Sequence, residues 1–204
     1  MLTGIDTASY GKDIGSSLPE LLEEILALPG NAVRYHIAQF NPEGIASAEQ
    51  RPQMARVCSD ARVTDLQMPI QTASTRLLKL MGRNYTPAEV LDFVTRIRQA
   101  NKGLFLRTDL MVGFPTETDE ELAETVAFVS RHFNEVAVYG YEHKKGTQIA
   151  SSGLPLWDAK TIRVRVREAS RQLRAANLRV HSGGQDIGTL IQSDRSKECI
   201  RRQS

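Results

Sequence analysis

Strand-like and helix-like segments alternate along this chain of 204 residues, and the alternation constrains the fold more than any other feature. Segments rich in β-branched, aromatic and long apolar residues predict strands at 33–40, 63–70, 104–112 and 135–141, and residues 1–3 resemble the end of another strand. Helices between successive strands imply parallel pairing with right-handed crossovers. These strands are too few for a closed eight-stranded barrel, so the predicted fold class is α/β, either a partial (β/α) barrel or a doubly wound sheet.

Helix start signals lie between the predicted strands. Capping boxes at residues 17–20, 86–89 and 118–121 each precede an apolar stripe at helical spacing. A shorter helix is predicted at 75–81. The last long helix is predicted at 158–178, with Ser182 and two glycines ending it, and residues 187–192 are compatible with a final short strand.

Basic residues are concentrated at the end of the chain. Residues 1–158 carry 15 Lys and Arg against 20 Asp and Glu, a balance of −5, whereas residues 159–204 carry 11 against 4, a balance of +7. Such a concentration of basic residues is typical of a segment that binds RNA. The alternative is a solvated helix face with pairs such as Arg165 or Arg171 with Glu168. The candidate RNA-binding residues share one row of the predicted long helix: Arg163, Arg167, Arg171 and Arg174.

Ligands of α/β folds bind at the carboxyl ends of the strands, where this sequence has four unusual loops. The loops cover residues 3–11, 39–42, 68–74 and 109–118. Each has an ordinary structural explanation, with Asp6 and Asn41 forming Asx-turns and Gln71 and Ser74 capping a helix. Residues 113–115 can likewise be explained as a tight turn that precedes a helix cap.

Asp109 is harder to explain by structure alone. It is a carboxylate between Leu110 and Met111 in an apolar strand, and a buried charge needs a partner. Arg107 or a backbone amide is the structural candidate for that partner. The functional alternative is the amine or hydroxyl of a ligand.

Four phrases occur in the order LTGIDTASYGKDIG, LQMPIQTASTRLLKLMGRNYT, LRTDLMVGFPTETDEEL and YGYEHKKGTQIA. Together they resemble the central domain of the radical S-adenosylmethionine methylthiotransferases. Residues 109–118 follow that family's D-x-x-V-G-F-P-x-E-T, residues 69–74 its P-[VIL]-Q-[SH]-[AG]-S, and residues 145–150 its R-x-G-T-x-A. Family members add a methylthio group to a tRNA adenosine derivative or to a ribosomal-protein aspartate.

The resemblance implies a partial barrel that binds S-adenosylmethionine along its upper edge. It places Gly4 and Asp6 in the loop that holds the cofactor's amino group. It places Gln71 in the motif that faces the cofactor and the sulfur-transfer space, and Asp109 at the acidic strand position. The adenine is expected to pack on three consecutive residues: Val112, Gly113 and Phe114.

The family's radical chemistry also needs a C-x-x-x-C-x-x-C loop whose thiolates hold a [4Fe–4S] cluster. This chain has only Cys58 and Cys199, and its four histidines lack metal-ligand spacing, so no metal site and no catalytic residue is predicted in it. We expect residues 1–180 to be a truncated half-barrel without the first strand and the cluster loop. Residues 181–204 are expected to be a linker or the start of a missing C-terminal RNA-binding domain.

Two functions follow as alternatives. The first is a methylthiotransferase core, inactive alone, whose partners are tRNA or a ribosomal protein and a chain that supplies the cluster domain. The second is a repurposed, non-catalytic module that binds S-adenosylmethionine or RNA. A cytoplasmic location without a membrane partner is expected, because no apolar run approaches the ~18 residues of a membrane span and two distant cysteines fit a reducing compartment.

Overall fold

Parallel strands form one sheet in the computed structural model, which describes residues 1–30, 33–46, 50–144, 146–147 and 149–182. The strands alternate with helices, as predicted. The strands are Tyr35–Ile37 (β1), Val63–Gln67 (β2), Phe105–Val112 (β3), Glu135–Gly140 (β4) and Arg179–Ser182 (β5). The helices are Leu18–Ala27 (α1), Glu43–Ala46 (α2), Gln50–Ser59 (α3), Thr75–Leu80 (α4), Pro87–Ala100 (α5), Asp119–His132 (α6) and Ala159–Ala175 (α7).

The strand order decides between the two predicted sheet types. The order is β1-β2-β3-β4-β5, and every neighbouring pair is parallel. A doubly wound sheet reverses direction at a switch point, whereas this order runs consecutively, as in part of a (β/α) barrel. Leu2 extends the order before β1, because its N–H donates to the His36 carbonyl at 2.8 Å and its carbonyl accepts from the Ala38 N–H at 2.9 Å. The predicted partial barrel is therefore confirmed.

The predicted helix starts are confirmed in atomic detail. Ser17, Thr86 and Thr118 cap α1, α5 and α6, and each forms a complete capping box with the glutamate three residues later. A capping box satisfies two backbone N–H groups that a helix start leaves without partners. It is a local feature, so it can be recognised from sequence.

The end of the long helix differs from the prediction. Helix α7 stops at Ala175, and Asn177 adopts a φ of 65°. The N–H groups of Asn177 and Leu178 donate to the carbonyls of Arg174 and Leu173, which is a Schellman end with asparagine in the position that glycine usually takes. Residues 179–182 then form β5, so the predicted boundary at residue 180 falls inside a strand. The predicted strand at 187–192 lies outside the described residues.

The two faces of the sheet differ in character. On one face, apolar side chains of the strands pack against the helices, with Leu66, Leu106, Leu110 and Val136 fully buried. The opposite face carries charged and amide side chains at alternate strand positions. These are also buried: Asp65, Gln67, Arg107, Asp109 and Glu135. In the described part of the chain, no helix is long and apolar enough to span a membrane.

Candidate functional site

A cavity of about 430 Å³ lies at the carboxyl ends of β3 and β4 and beside the loop that follows β2. Its walls combine aromatic rings, thioethers and a few polar groups. A concave, mostly apolar site with a few polar groups is typical of small-molecule binding. The residues that line it are Gln71, Met81, Arg83, Met111, Phe114, Tyr139, Gly140, Tyr141, Glu142, Lys144, Thr147 and Ile149.

The loop after β2 is held in an unusual conformation beside this cavity. Gln71 has a φ of 62°, a left-handed conformation that is uncommon for a residue with a long side chain. Two backbone hydrogen bonds fix it, from the Gln71 N–H to the Asp109 carbonyl and from the Met111 N–H to the Gln71 carbonyl, both at 2.9 Å. The loop therefore adds one more rung beside β3.

Side chains of α6 hold the same loop through hydrogen bonds. The Thr125 hydroxyl accepts from the Ala73 N–H at 3.0 Å and lies 3.1 Å from the Thr72 hydroxyl, all in the buried interior. Ser74 caps α4, as one of the structural explanations predicted, and donates to Glu121 at 2.6 Å. The loop is thus anchored to a helix that starts about 45 residues later in the sequence.

Glu121 connects the loops after β2 and β3. Its carboxylate accepts from Arg76, whose guanidinium also donates to the Thr116 carbonyl at 2.8 Å. Burial alone would raise the pKa of Glu121. Hydrogen bonds from Arg76, Ser74 and the Thr118 N–H outweigh it and lower the pKa to about 2. Glu121 is therefore ionised at neutral pH and holds both loops.

The loop after β3 turns sharply at Gly113, which has a φ of 80°. The Gly113 N–H donates to Glu117 Oε2 at 2.8 Å, and the same oxygen accepts from Arg165 Nη2 at 3.1 Å. Glu117 and Arg165 are only 2% and 8% exposed. Burial raises the pKa of Glu117, while the Gly113 hydrogen bond and the charge of Arg165 act in the opposite direction.

Helix α7 packs directly on the strand ends that flank the cavity. A Cβ at Gly113 would lie 2.8 Å from Ile162 Cγ1, and a Cβ at Gly140 would lie 2.9 Å from Ile162 Cγ2. Real Cβ atoms do not approach carbon atoms so closely, so both positions require glycine. Because the two glycines have no side chain, Ile162 packs closely against β3 and β4.

The predicted cofactor residues fall into two groups. Gln71 and Phe114 line the cavity, and Val112 and Gly113 immediately precede Phe114. Gly4 and Asp6 do not line it. Asp6 instead caps the short 3₁₀ turn Thr7–Ser9 by accepting from the Ala8 N–H at 3.0 Å and the Ser9 hydroxyl at 2.7 Å.

Asp109 lies on the polar inner face and not among the cavity-lining residues. Its carboxylate accepts two hydrogen bonds from the Gln67 side-chain amide, at 3.1 and 3.3 Å. Arg107, the partner considered from sequence, forms ion pairs with Asp65 at 2.7 Å and Glu135 at 3.6 Å. The buried carboxylate is thus hydrogen-bonded by the amide of Gln67, the last residue of the ladder that joins β2 to β3.

An ionic layer crosses the sheet below the cavity, and sequence analysis missed it. Arg107 joins Asp65 and Glu135, while His36 Nδ1 lies 3.8 Å from Asp65 and His181 Nε2 lies 3.5 Å from Glu135. The sequence signal for this layer was the presence of charged residues at alternate positions of otherwise apolar strands. The layer makes the floor of the half-barrel polar.

The predicted arginine row is on the solvent side of α7, where Arg163, Arg167, Arg171 and Arg174 are all exposed. Arg171 pairs with Glu168 at 2.6 Å, which was one of the two intrahelical pairs considered. The other pair is wrong. Arg165 points away from Glu168 into the protein and binds Glu117 and Asp119, because it faces the β3 loop.

The residues present do not fit an iron–sulfur cluster. The [4Fe–4S] cluster that the family resemblance implies needs three thiolates, whereas this sequence has two cysteines. Cys58 is fully buried, and burial raises the pKa of its thiol to about 12. No group of three or more potential metal ligands occurs among the residues that the structure describes.

Comparison with known families decides the classification. The profile of the radical SAM superfamily matches residues 2–129. The chain belongs to the radical SAM superfamily. Within it, the chain is 33% identical over 182 residues to a probable threonylcarbamoyladenosine tRNA methylthiotransferase of Pyrococcus abyssi. It is 36% identical over 152 residues to the threonylcarbamoyladenosine tRNA methylthiotransferase MtaB of Bacillus subtilis.

These relatives confirm the resemblance to methylthiotransferases, over 88% and 74% of this chain respectively. The match covers 40% of the Pyrococcus protein and 33% of the Bacillus protein. This radical SAM chain therefore spans well under half of the length of those relatives.

Two solved structures confirm the fold of the superfamily member. Coproporphyrinogen III oxidase (HemN) from Escherichia coli superimposes with a TM-score of 0.58 at 18% identity, over 78% of this chain and 36% of that one. The archaeal Elp3 of Methanocaldococcus infernus gives a TM-score of 0.53 at 16% identity, over 90% of this chain and 46% of that one. Likeness at such low identity shows the architecture alone.

Proposed function

We propose that this chain forms the S-adenosylmethionine-binding wall of a tRNA methylthiotransferase. The proposal rests on the cavity at the ends of β3 and β4. The chain belongs to the radical SAM superfamily, and this cavity lies at the strand ends, where ligands of such folds bind. Phe114 and Tyr141 meet edge to face with ring centroids 5.3 Å apart, which gives an apolar wall for an adenine. Gln71, Arg83 and Lys144 add polar and cationic groups for the ribose and the methionine carboxylate.

S-adenosylmethionine supplies a transferable methyl group and a source of radical chemistry where it is bound beside a cluster. The thiolates for that cluster must come from outside these 204 residues, from a partner chain or a further segment. Methylthio transfer is therefore a property of the assembled enzyme, and the chain alone is inactive. Anaerobic reconstitution of the isolated chain should give no stoichiometric cluster, and about four irons per chain would contradict this expectation.

Binding of S-adenosylmethionine by calorimetry tests the cofactor role. Without chelation to a cluster, we expect a dissociation constant in the high-micromolar to millimolar range. Phe114→Leu removes the ring from the wall and should weaken binding severalfold. Phe128→Leu is the matched control, because Phe128 is a partly buried ring of α6 that packs against His132.

Two results would change the proposal. Equal affinity of the parent and the Phe114→Leu variant would remove the cofactor from this cavity. A low-micromolar dissociation constant for the parent would favour the alternative function, a non-catalytic module that binds S-adenosylmethionine.

The arginine row of α7 supports tRNA as the macromolecular partner, with a ribosomal protein as the alternative. Arg163 and Arg167 form no ion pair with other described residues, so their charges are available to phosphates. Phosphate contacts make affinity fall steeply with salt, with a slope of roughly 0.7 to 0.9 per contact. A cytoplasmic location belongs to the same proposal, because tRNA is modified there.

The test is tRNA binding at low and near-physiological salt. Replacing Arg163, Arg167, Arg171 and Arg174 together by Gln should reduce both the affinity and the salt slope. The matched control replaces four other exposed basic residues by Gln, namely Lys12, Lys79, Lys102 and Arg131. If the arginine variant and the control bind tRNA equally, the helix has no part in RNA binding and the ribosomal-protein alternative gains support.

A further inference from the structure

We propose that Arg165 is a positioning residue for the cavity, acting through Glu117 on the turn at Gly113 and Phe114. The inference rests on the proposed function, because it takes the cavity as the cofactor site. Arg165 does not line the cavity itself. It acts on the cavity wall through the Glu117 carboxylate and the backbone amide of Gly113.

The buried ion pair of Glu117 and Arg165 makes the hydrogen bond from the Gly113 N–H depend on Arg165. Glu117 Oε2 accepts from the Gly113 N–H at 2.8 Å and from Arg165 Nε and Nη2 at 3.2 and 3.1 Å. A carboxylate that is 2% exposed has little water to replace the guanidinium. Without Arg165, the unpaired buried carboxylate of Glu117 must move toward solvent, and that movement breaks its hydrogen bond from the Gly113 N–H.

The position of Arg165 is itself fixed by helix packing. Ile162, one turn before Arg165, is seated against Gly113 and Gly140 with no room for a Cβ at either position. Arg165 Nη2 also donates to the Thr118 carbonyl at 3.0 Å, and Nη1 pairs with Asp119. Helix α7 therefore sets the position of the guanidinium, and the guanidinium sets the Gly113 turn.

An exposed arginine outside the proposed RNA-binding row provides the contrast. Arg96 of α5 pairs with Asp92 at 3.0 Å, but the two side chains are 62% and 40% exposed. Water and salt screen such a pair, and losing it leaves no buried charge. Arg96→Met is therefore the matched control for Arg165→Met.

The molecule also contains a probe for this linkage. Trp157 is the single tryptophan of the chain, and the Arg165 guanidinium lies 5.1 Å from its ring centroid. Trp157 does not line the cavity. Its fluorescence should respond to a ligand in the cavity only if the Gly113 turn and Arg165 move together.

The experiment compares the parent, Arg165→Met, Arg165→Met with Glu117→Gln, and Arg96→Met, all shown to be folded by circular dichroism. We expect Arg165→Met to weaken S-adenosylmethionine binding about tenfold. Adding Glu117→Gln removes the unpaired charge and keeps an acceptor for the Gly113 N–H, so it should restore most of the affinity. Arg96→Met should bind like the parent.

Two further readouts separate a positioning role from a loss of general stability. One is hydrogen exchange without ligand, and the other is tryptophan fluorescence with ligand. Hydrogen exchange of the Gly113 amide in the free protein should accelerate in Arg165→Met, return to the parent's rate in the double variant and stay unchanged in Arg96→Met. The Trp157 emission change on adding S-adenosylmethionine should be lost in Arg165→Met.

Each contrary result has a distinct meaning. Unchanged Gly113 exchange in Arg165→Met, or no rescue by Glu117→Gln, overturns the positioning role and leaves the proposed function standing. If the parent binds no S-adenosylmethionine, the proposed function fails and the positioning role fails with it, even where Gly113 exchange accelerates. Equal affinities of a folded Arg165→Met variant and the parent also overturn the inference.

Discussion

The loops after β2 and β3 and the loop at residues 3–11 all lie at strand exits, yet they are built differently. The first two are held by side chains from distant helices, as Ala73 is by Thr125 and Gly113 by Glu117 and Arg165. The loop at residues 3–11 is held by the Asp6 cap of its own turn and by Thr7, whose N–H and hydroxyl donate to the carbonyls of Gln39 and Ala38. The ties from the distant helices are buried, so they preorganise a cavity wall. The ties of the loop at residues 3–11 join it to its own turn and to the neighbouring segment after β1, and Ile5 is fully exposed.

The largest expected difference between these regions comes from Glu117→Ala. It removes the acceptor of the Gly113 N–H and leaves the buried Arg165, among the described residues, with the exposed Asp119 as its acidic partner. Breaking a buried ion pair from one side costs roughly 3 to 5 kcal/mol, and we expect about 3 kcal/mol in urea unfolding. Asp6→Ala, the local counterpart, should cost about 0.5 to 1 kcal/mol, as cap removal does. Equal losses would erase the distinction between the two loops.

A second expected effect concerns the buried threonine hydroxyl behind the β2 loop. Thr125→Val leaves the Ala73 N–H without its acceptor, and an unsatisfied buried donor costs about 1 to 3 kcal/mol. Ser130→Ala is the control on the same helix, since the Ser130 hydroxyl only donates to the Val126 carbonyl one turn before it. The urea midpoint should fall clearly for Thr125→Val and little for Ser130→Ala. A reversed order would mean that the loop is not held through Thr125.

The smallest effect depends on pH. The pKa of Glu121 is lowered in the folded protein to about 2, so its stabilising contribution is complete above the unfolded value of 4.5 and is lost as the pH falls from there toward 2. Glu121→Gln should cost about 1 kcal/mol at pH 7, because its partner Arg76 is half exposed and screened. The gap between variant and parent should shrink below pH 4.5. Glu124→Gln on the exposed side of α6 should show no such trend, and a gap independent of pH would exclude Glu121 as the ionised clamp.

The same contrast explains what the sequence could predict. The helix starts at Ser17, Thr86 and Thr118 depend on residues three positions apart, so local patterns were sufficient. Helix α3 was missed because Pro52 and a weak apolar stripe hide it. Strand β5 was missed because Asn177, and not a glycine, ends the preceding helix.

The candidate site was predictable where motifs carried it and not where contacts are long-range. Gln71 and Phe114 came from strand-exit motifs, and the structure places both at the cavity. Arg165 was considered as a partner of Glu168 on a solvated helix face, because helical spacing cannot reveal a partner 48 positions earlier in the chain. The ionic layer of Asp65, Arg107 and Glu135 was missed for the same reason, as its members lie on three strands.

The cofactor assignment of the cavity is tested most directly by methionine methyl NMR. The chain has five methionines, of which Met81 and Met111 line the cavity and Met54 and Met68 are buried in the core. In protein labelled with ¹³C-methyl methionine, saturating S-adenosylmethionine should shift the Met81 and Met111 signals and leave those of Met1, Met54 and Met68 in place. The readout works even for millimolar affinity. Shifts confined to other methionines, or no shift at saturating ligand, would contradict the assignment of this cavity to S-adenosylmethionine.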